Sequence, residues 1–161
     1  MASQLDSPCF DDLPPVAADV ARGVTRLFCR QDLFAICEVP LANGRRADLM
    51  AIDARGGLTI VEIKVAKADL LGDCKWTDYL DYCDRFFWAV PAELASLCDG
   101  ERFLPGAAGL IVADRYDAAV IREAALRPLA PARRKAELLR FARRAARRLS
   151  TQIDPSLGDD H

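Results

Sequence analysis

Residues 46–64 read RADLMAIDARGGLTIVEIK, and this stretch decides the fold that the sequence predicts. Two segments with strand-like composition, 46–53 and 58–65, flank a short turn that contains two glycines. This pattern is typical of an antiparallel β-hairpin with a short loop. Side chains alternate between the two faces of a strand, so every second residue of each segment is predicted to share a face. One predicted face carries Asp48, Glu62 and Lys64.

The register of the hairpin decides which of these charges meet. If the hairpin closes symmetrically around Arg55, Asp48 lies directly opposite Glu62. A slip of two residues pairs Asp48 with Lys64 instead, and keeps all three groups adjacent. Two facing carboxylates repel, and a divalent cation together with the nearby ammonium group is the candidate that compensates them. A solvated strand face has the same alternation of charges, but apolar residues on this face, such as Met50, favour a cleft.

The spacing of these residues resembles a known nuclease signature. Ala47-Asp48, followed by Glu62-Ile63-Lys64, is similar to the PD-(D/E)XK superfamily, in which an acidic residue precedes Glu-x-Lys on adjacent strands. Ala47 stands where many members have proline, and the carboxylate is retained. The resemblance implies an α/β fold with a restriction-endonuclease-like αβββαβ core, in which helices flank a mixed central sheet.

Longer stretches resemble the MmcB family of DNA repair proteins, from about Val16 to Leu149. The similar stretches are residues 45–51, 60–64, 75–86, 109–115 and 129–135. This resemblance implies a role in DNA repair, with DNA as the partner.

The carboxylates and the amine together predict metal-dependent hydrolysis of DNA phosphodiester bonds. Asp48 and Glu62, with the backbone carbonyl of Ile63, are expected to hold Mg²⁺ or Mn²⁺, because these ions prefer hard oxygen ligands. Lys64 is expected to orient the attacking water and to neutralise developing negative charge. Superfamily relatives carry polar residues toward the site on the helix that follows, which makes Lys75 the best auxiliary candidate.

The C-terminal region predicts a second functional surface. Residues 127–148 contain nine Lys or Arg residues and one acid, within a helix that begins at Pro131. On a helical wheel the apolar stripe consists of Leu138, Ala142, Ala145 and Leu149. The basic residues on the other side are Arg133, Arg140, Arg143, Arg144 and Arg147. Such a face can neutralise phosphates or simply solubilise the helix, and the DNA-repair resemblance favours phosphate contact.

The remaining pattern predicts one domain, residues 14–153, between flexible tails at 1–13 and 154–161. Pro14-Pro15 is predicted to open the first helix, in which Val16, Val20, Val24 and Leu27 recur at helical spacing. The other predicted helices are 68–71, 74–83 and 92–98. The predicted strands are 34–41, the hairpin, 86–90, 110–113 and an edge strand within 116–122. In the helix 74–83, Lys75, Tyr79 and Tyr82 are predicted to share one face, and Trp76, Leu80 and Cys83 the other.

Composition excludes several other classes. A net charge of −2 argues against general coating of nucleic acid, and no apolar run approaches the length of a membrane span. The acidic, polar start has no export signal, so a cytoplasmic location is expected. The six cysteines form no C-x-x-C pair and the single histidine is His161, which argues against structural zinc and histidine catalysis. The thiols are expected to be reduced and mostly buried.

Two other classes of function stay open from the sequence. A catalytically silent DNA-binding module would use the same sheet and the same arginine helix. An adaptor that recruits repair proteins, or a homodimer, is also compatible with the pattern.

Overall fold

The computed structural model describes residues 16–158 and places six strands in one sheet, in the order β1-β2-β3-β4-β5-β6. The strands are β1 (Phe34–Pro40), β2 (Arg46–Ile52), β3 (Leu58–Ile63), β4 (Arg85–Val90), β5 (Gly109–Ala113) and β6 (Ala118–Arg122). The α-helices are α1 (Ala17–Arg30), α2 (Lys67–Gly72) and α3 (Pro131–Ile153). Short 3-10 helices span Trp76–Tyr82, Ala92–Asp99, Glu101–Phe103 and Pro155–Gly158.

Strand direction changes across the sheet. The first three strands form an antiparallel meander, β4 and β5 run parallel to β3, and β6 returns antiparallel at the far edge. The order helix, three strands, helix, strand is the predicted αβββαβ order, and the mixed sheet with flanking helices is confirmed. The arrangement is consistent with a restriction-endonuclease-like core.

The central hairpin has the symmetric register. Met50 pairs with Ile60 and Ala51 with Thr59, which centres the turn on Arg55 as predicted. The Asp53 carboxylate organises the turn, since its Oδ1 accepts the N–H groups of residues 55 and 57, each at 2.8 Å. Gly56 adopts a φ of +82°, a left-handed conformation that L side chains disfavour.

Alternation along the strands divides the apolar residues between two cores. One face carries Met50, Ile60 and Trp88 and is covered by the 3-10 helix Trp76–Tyr82 and by α3. The other face is covered by α1. The α1 residues buried there include Val20, Val24, Leu27 and Phe28, and the sheet residues include Leu49, Ala51, Val61 and Ile111. Burial of these side chains on folding is worth about 25 cal/mol per Å² of apolar area.

Glycine is required where α1 crosses the far edge of the sheet. A Cβ atom on Gly23 would lie 2.2 Å from the Asp114 carbonyl oxygen and 2.6 Å from that of Asp117. Any side chain at this position therefore pushes the helix away from the β5–β6 turn.

Helix α3 is attached through Asp84. The Asp84 carboxylate accepts the N–H of Leu58 at 2.8 Å and that of Leu129 at 2.9 Å, and it pairs with both terminal nitrogens of Arg134 at 2.8 and 2.5 Å. This docking fixes the rotation of α3. Consequently the buried α3 residues are Glu137 and Phe141, with Leu138 packed beside them.

The apolar stripe predicted for α3 was therefore wrong in part. Ala142 and Leu149 are exposed, the latter by 59%. The Asp84–Arg134 pair and the buried Glu137 turn the helix about its axis relative to the wheel that apolar residues alone suggest.

Other predictions also need correction. The segment after α2 is a 3-10 helix with three residues per turn, so Trp76, Tyr79 and Tyr82 share its buried face and Tyr79 does not lie opposite Trp76. Among the described cysteines, Cys29, Cys37 and Cys74 are exposed and only Cys83 and Cys98 are buried.

The predicted tails lie largely outside the described residues. Residues 1–15 and 159–161 are not described, so the Pro14-Pro15 start predicted for the first helix also lies outside the described residues. Pro155–Gly158 forms a 3-10 turn that contacts α3. Within residues 16–158, no helix is both long and apolar enough to cross a membrane.

Candidate active site

The hairpin ladder stops where the two predicted carboxylates lie. The last paired residues are Leu49 and Val61, so the next position in the same register sets Asp48 beside Glu62. Each carboxylate then caps the opposite strand. Asp48 Oδ2 accepts the Ile63 N–H at 2.8 Å, and Glu62 Oε1 accepts the Asp48 N–H at 3.3 Å. The two acids thus replace ladder hydrogen bonds at the open end of the hairpin.

The electrostatics of this pair are unfavourable without a cation. Glu62 is 4% exposed. Burial, and then the negative charge of Asp48, raises the pKa of Glu62 to about 8. Burial also raises the pKa of Asp48, although its hydrogen bond from Ile63 and the charge of Lys64 act against the rise. The two carboxyl groups therefore resist being ionised together unless a cation compensates them.

Lys64 lies just beyond the end of β3 and has an acidic partner. Its Nζ is 3.0 Å from Asp73 Oδ2, and the two side chains are 17% and 14% exposed. Asp73 follows α2 directly. Sequence reasoning missed Asp73, because an acid in the loop after a short helix belongs to no periodic pattern.

The carboxylates, Ile63 and Lys64 line an open cleft of about 510 Å³. The other lining residues are Arg46, Ala68, Asp69, Gly72, Asp73 and Tyr79. Arg46 could have been found from the sequence, because it shares the face of Asp48 by strand alternation. Lys75 does not line this cleft, is exposed, and donates its backbone N–H to Asp73 at 3.1 Å.

Tyr79 closes one side of the cleft. Its hydroxyl donates to the Arg46 carbonyl at 3.1 Å. Burial and the adjacent charges of Glu62 and Asp48 raise the pKa of Tyr79, so the phenol stays protonated at neutral pH.

The donor set fits a small, hard divalent cation. Two carboxylates and a neighbouring backbone carbonyl suit Mg²⁺ or Mn²⁺, and Mg²⁺ retains several waters in such sites. Among residues 16–158, no group of three or more His, Cys, Asp or Glu side chains is arranged as a metal cluster. A cation here would therefore rely on Asp48, Glu62, backbone oxygen and water.

The arginines predicted to bind nucleic acid divide into two groups. Four of them line one cleft of about 320 Å³ between α3 and β1, together with Val39 and Pro40. These four are Arg140, Arg143, Arg144 and Arg147. Arg133 lies elsewhere, with its guanidinium 4.6 Å from the centre of the Tyr82 ring and 3.8 Å from Glu137. Arg140 also pairs with the buried Glu137, at 2.9 Å.

Comparison with known proteins gives two matches. A family model described as DNA repair protein MmcB-like matches residues 9–156. A protein of unknown function from Silicibacter pomeroyi has a solved structure that superimposes with a TM-score of 0.80 and 41% sequence identity, covering 90% of this chain and 95% of that chain. No curated protein matches.

Proposed function

This chain belongs to the MmcB-like family of DNA repair proteins, and from that premise we propose that it is a metal-dependent nuclease that hydrolyses DNA phosphodiester bonds. The observation that carries the proposal is a pair of adjacent carboxylates at the open end of the β2–β3 hairpin, with Glu62 buried and Asp48 partly buried. Asp48 and Glu62 repel each other there, beside a lysine and in an open cleft. Carboxylates in a cleft whose pKa values are raised by burial are typical of functional sites.

Asp48, Glu62 and the Ile63 carbonyl would hold Mg²⁺ or Mn²⁺. Such a cation, when bound, supplies Lewis acidity at the phosphate and lowers the pKa of a bound water. The protein contributes two features of its own. The reciprocal hydrogen bonds between Asp48 and β3 fix the carboxylates before substrate arrives, and the cleft leaves room for a phosphate and its water.

Lys64 supplies the positive charge of the site. The charge of its ammonium group partly offsets the rise in the pKa of Asp48 and of Glu62, so Lys64 lies within electrostatic reach of both. The ion pair with Asp73 holds it in a single position. From there Lys64 would orient the attacking water and stabilise the negative charge that develops on the phosphate.

The arginine cleft would bind the DNA backbone. Four guanidinium groups line it, and bidentate guanidinium–phosphate contacts suit DNA binding independent of sequence. Replacing Arg140, Arg143, Arg144 and Arg147 by Gln should weaken DNA binding and flatten its salt dependence. Binding that is insensitive to salt would contradict this role.

The test is cleavage of end-labelled duplex, single-stranded, flap and four-way-junction DNA with Mg²⁺ or Mn²⁺. Wild type should cut at least one substrate, while Asp48→Asn, Glu62→Gln and Lys64→Ala should each lose about a hundredfold or more in rate. Glu123→Gln changes an exposed acid after β6, at the opposite edge of the sheet, and serves as the matched control. Unchanged cleavage by Asp48→Asn and Glu62→Gln would refute the assignment.

A catalytically silent DNA-binding module is the second candidate. It is favoured by the small number of acidic ligands, since among the described residues no larger metal cluster surrounds the pair. Calorimetric titration with Mg²⁺ separates the two candidates, because a silent module need not bind the ion at millimolar concentration. A homodimer would bring two sites to the two strands of a duplex, which the mass in solution with and without DNA would test.

A further inference from the structure

The arginine cleft and the carboxylate cleft adjoin at the end of β1. Pro40 lines the arginine cleft and pairs with Arg46 across the β1–β2 ladder. Arg46 in turn lines the carboxylate cleft. A single residue pair therefore separates the two clefts, with no intervening element of the chain.

The direction of α3 brings its basic part to this end of the sheet. Near its beginning, Arg134 donates to the Gly56 carbonyl at 2.9 Å, at the hairpin turn. Near its end, Arg148 donates to the Glu38 carbonyl at 3.1 Å, close to the last residues of β1. The helix thus runs from the turn toward the end of the hairpin that carries the carboxylates. Its four cleft-lining arginines begin near the middle of the helix, at Arg140, and continue toward that end.

Arg46 is held loosely compared with its neighbour. Its guanidinium lies 3.6 Å from Glu38, and both side chains are 64% exposed. An ion pair this exposed contributes little, so a phosphate can displace the carboxylate readily. Arg45, by contrast, makes two hydrogen bonds to Asp78 Oδ2, at 3.1 and 2.9 Å.

We propose that Arg46 binds a backbone phosphate and joins the two clefts into one path for a nucleic-acid strand. The strand would lie against Arg140, Arg143, Arg144 and Arg147, cross the end of β1 at Pro40, and meet Arg46 immediately before it reaches Asp48 and Glu62. In the free protein, Arg46 forms its ion pair with Glu38, and the phosphate displaces the Glu38 carboxylate. This path rests on the proposed function, and it names the phosphate contact nearest the reacting group.

The test uses the full chain without divalent metal, so that binding is measured apart from hydrolysis. Binding of fluorescein-labelled single-stranded and duplex oligonucleotides is titrated at several salt concentrations. Arg46→Gln should weaken binding about tenfold and reduce the slope of log K against log salt by about one. Arg46→Lys should restore most of that slope, because it retains the charge. Arg45→Gln, the matched control, should change neither quantity, and Glu38→Gln should strengthen binding about two- to threefold.

Each outcome separates the path from the nuclease proposal. Loss of affinity in Arg46→Gln supports the path even if no substrate is cleaved. Wild-type affinity and slope in Arg46→Gln, or an equal loss in Arg45→Gln, would overturn the path while leaving cleavage by wild type to stand on its own. Absence of oligonucleotide binding by wild type would overturn the path directly.

Discussion

Two buried acidic sites lie at opposite ends of the central strands, and they differ in what neutralises them. Asp84 and Glu62 are each 4% exposed. Burial disfavours the charge of Asp84, but hydrogen bonds from Arg134 and from two backbone N–H groups hold its pKa below the ordinary value. Glu62 faces Asp48 instead, and its pKa rises to about 8. Two acids with the same exposed fraction therefore have pKa values shifted in opposite directions.

This difference in partners shows which of the two acids stabilises the fold. Asp84 connects β3, the segment before α3 and α3 itself, with every partner supplied by the chain. Two basic residues line the cleft of the Asp48–Glu62 pair, and each already has an acidic partner. Lys64 pairs with Asp73, and Arg46 pairs with Glu38. The acid that stabilises the fold is surrounded by donors, whereas the pKa of Glu62 is raised by burial and by an acidic neighbour, a pattern common at functional sites.

The largest effect is expected from breaking the structural site. Asp84→Ala removes the acceptor of two backbone N–H groups and the carboxylate partner of Arg134, so the free energy of unfolding should fall by about 3–5 kcal/mol. Urea denaturation followed by tryptophan fluorescence measures the change. Asp81→Asn, at an exposed acid nearby, is the control and should stay near wild type. A loss for Asp84→Ala no larger than that of the control would contradict the role given to Asp84.

Replacing Glu62 is expected to raise the free energy of unfolding, whereas replacing Asp84 lowers it. Folding raises the pKa of the Glu62 carboxyl group from about 4.5 to about 8. The group therefore stabilises the folded state most at a pH below 4.5, and this stabilisation is lost as the pH rises to about 8. Glu62→Gln should therefore stabilise the metal-free protein at pH 8, by on the order of 2 kcal/mol. Thermal unfolding between pH 5 and 8 tests this, since the gain over wild type should grow with pH. A lower melting temperature at pH 8 would refute it.

Metal binding should depend on pH for the same reason. At pH 7 a carboxyl group with a pKa of about 8 is mostly protonated, and it must lose its proton to bind a cation. The apparent Mg²⁺ affinity should fall roughly fivefold from pH 8 to 7 and about tenfold from pH 7 to 6, the second step being about 1.4 kcal/mol. Calorimetry in buffers of different ionisation enthalpy should register the released proton. Affinity that is flat across this range would contradict the environment described for Glu62.

The smallest effect is expected at Tyr79. Removing its hydroxyl in Tyr79→Phe leaves the Arg46 carbonyl without that donor, at a cost of about 0.5–1.5 kcal/mol in unfolding free energy. Tyr82→Phe removes the same atom away from the carboxylate cleft and is the matched control. Equal losses in the two variants would show that the hydroxyl of Tyr79 has no particular role in the cleft.

The hairpin and its carboxylates were predictable because the signal is local. Alternation fixes the faces, the turn glycines fix the centre, and together they set Asp48 beside Glu62. The helix–strand order follows from the same period-based reasoning, and the edge strand β6 was found as well.

What the sequence did not reveal depends on distant contacts. The rotation of α3 follows from an ion pair between residues 84 and 134, and Glu137 is buried although it lies among arginines. The contact of the Arg133 guanidinium with the Tyr82 ring, away from the other arginines, also joins residues that are distant in the sequence. Asp73 could not be assigned to Lys64, because nothing in the sequence relates a loop acid to a strand end.

The strand order has a consequence for how the chain folds. Every strand hydrogen-bonds to the strand next to it in the sequence, and Asp48 and Glu62 are separated by 14 positions. Short loops close quickly and hairpins form within microseconds, whereas the contact that attaches α3 closes 50 positions. We expect the acidic pair to assemble early and the arginine helix to dock last. During synthesis, an unfinished chain would then form the proposed catalytic pair before it acquires the helix that is proposed to bind DNA.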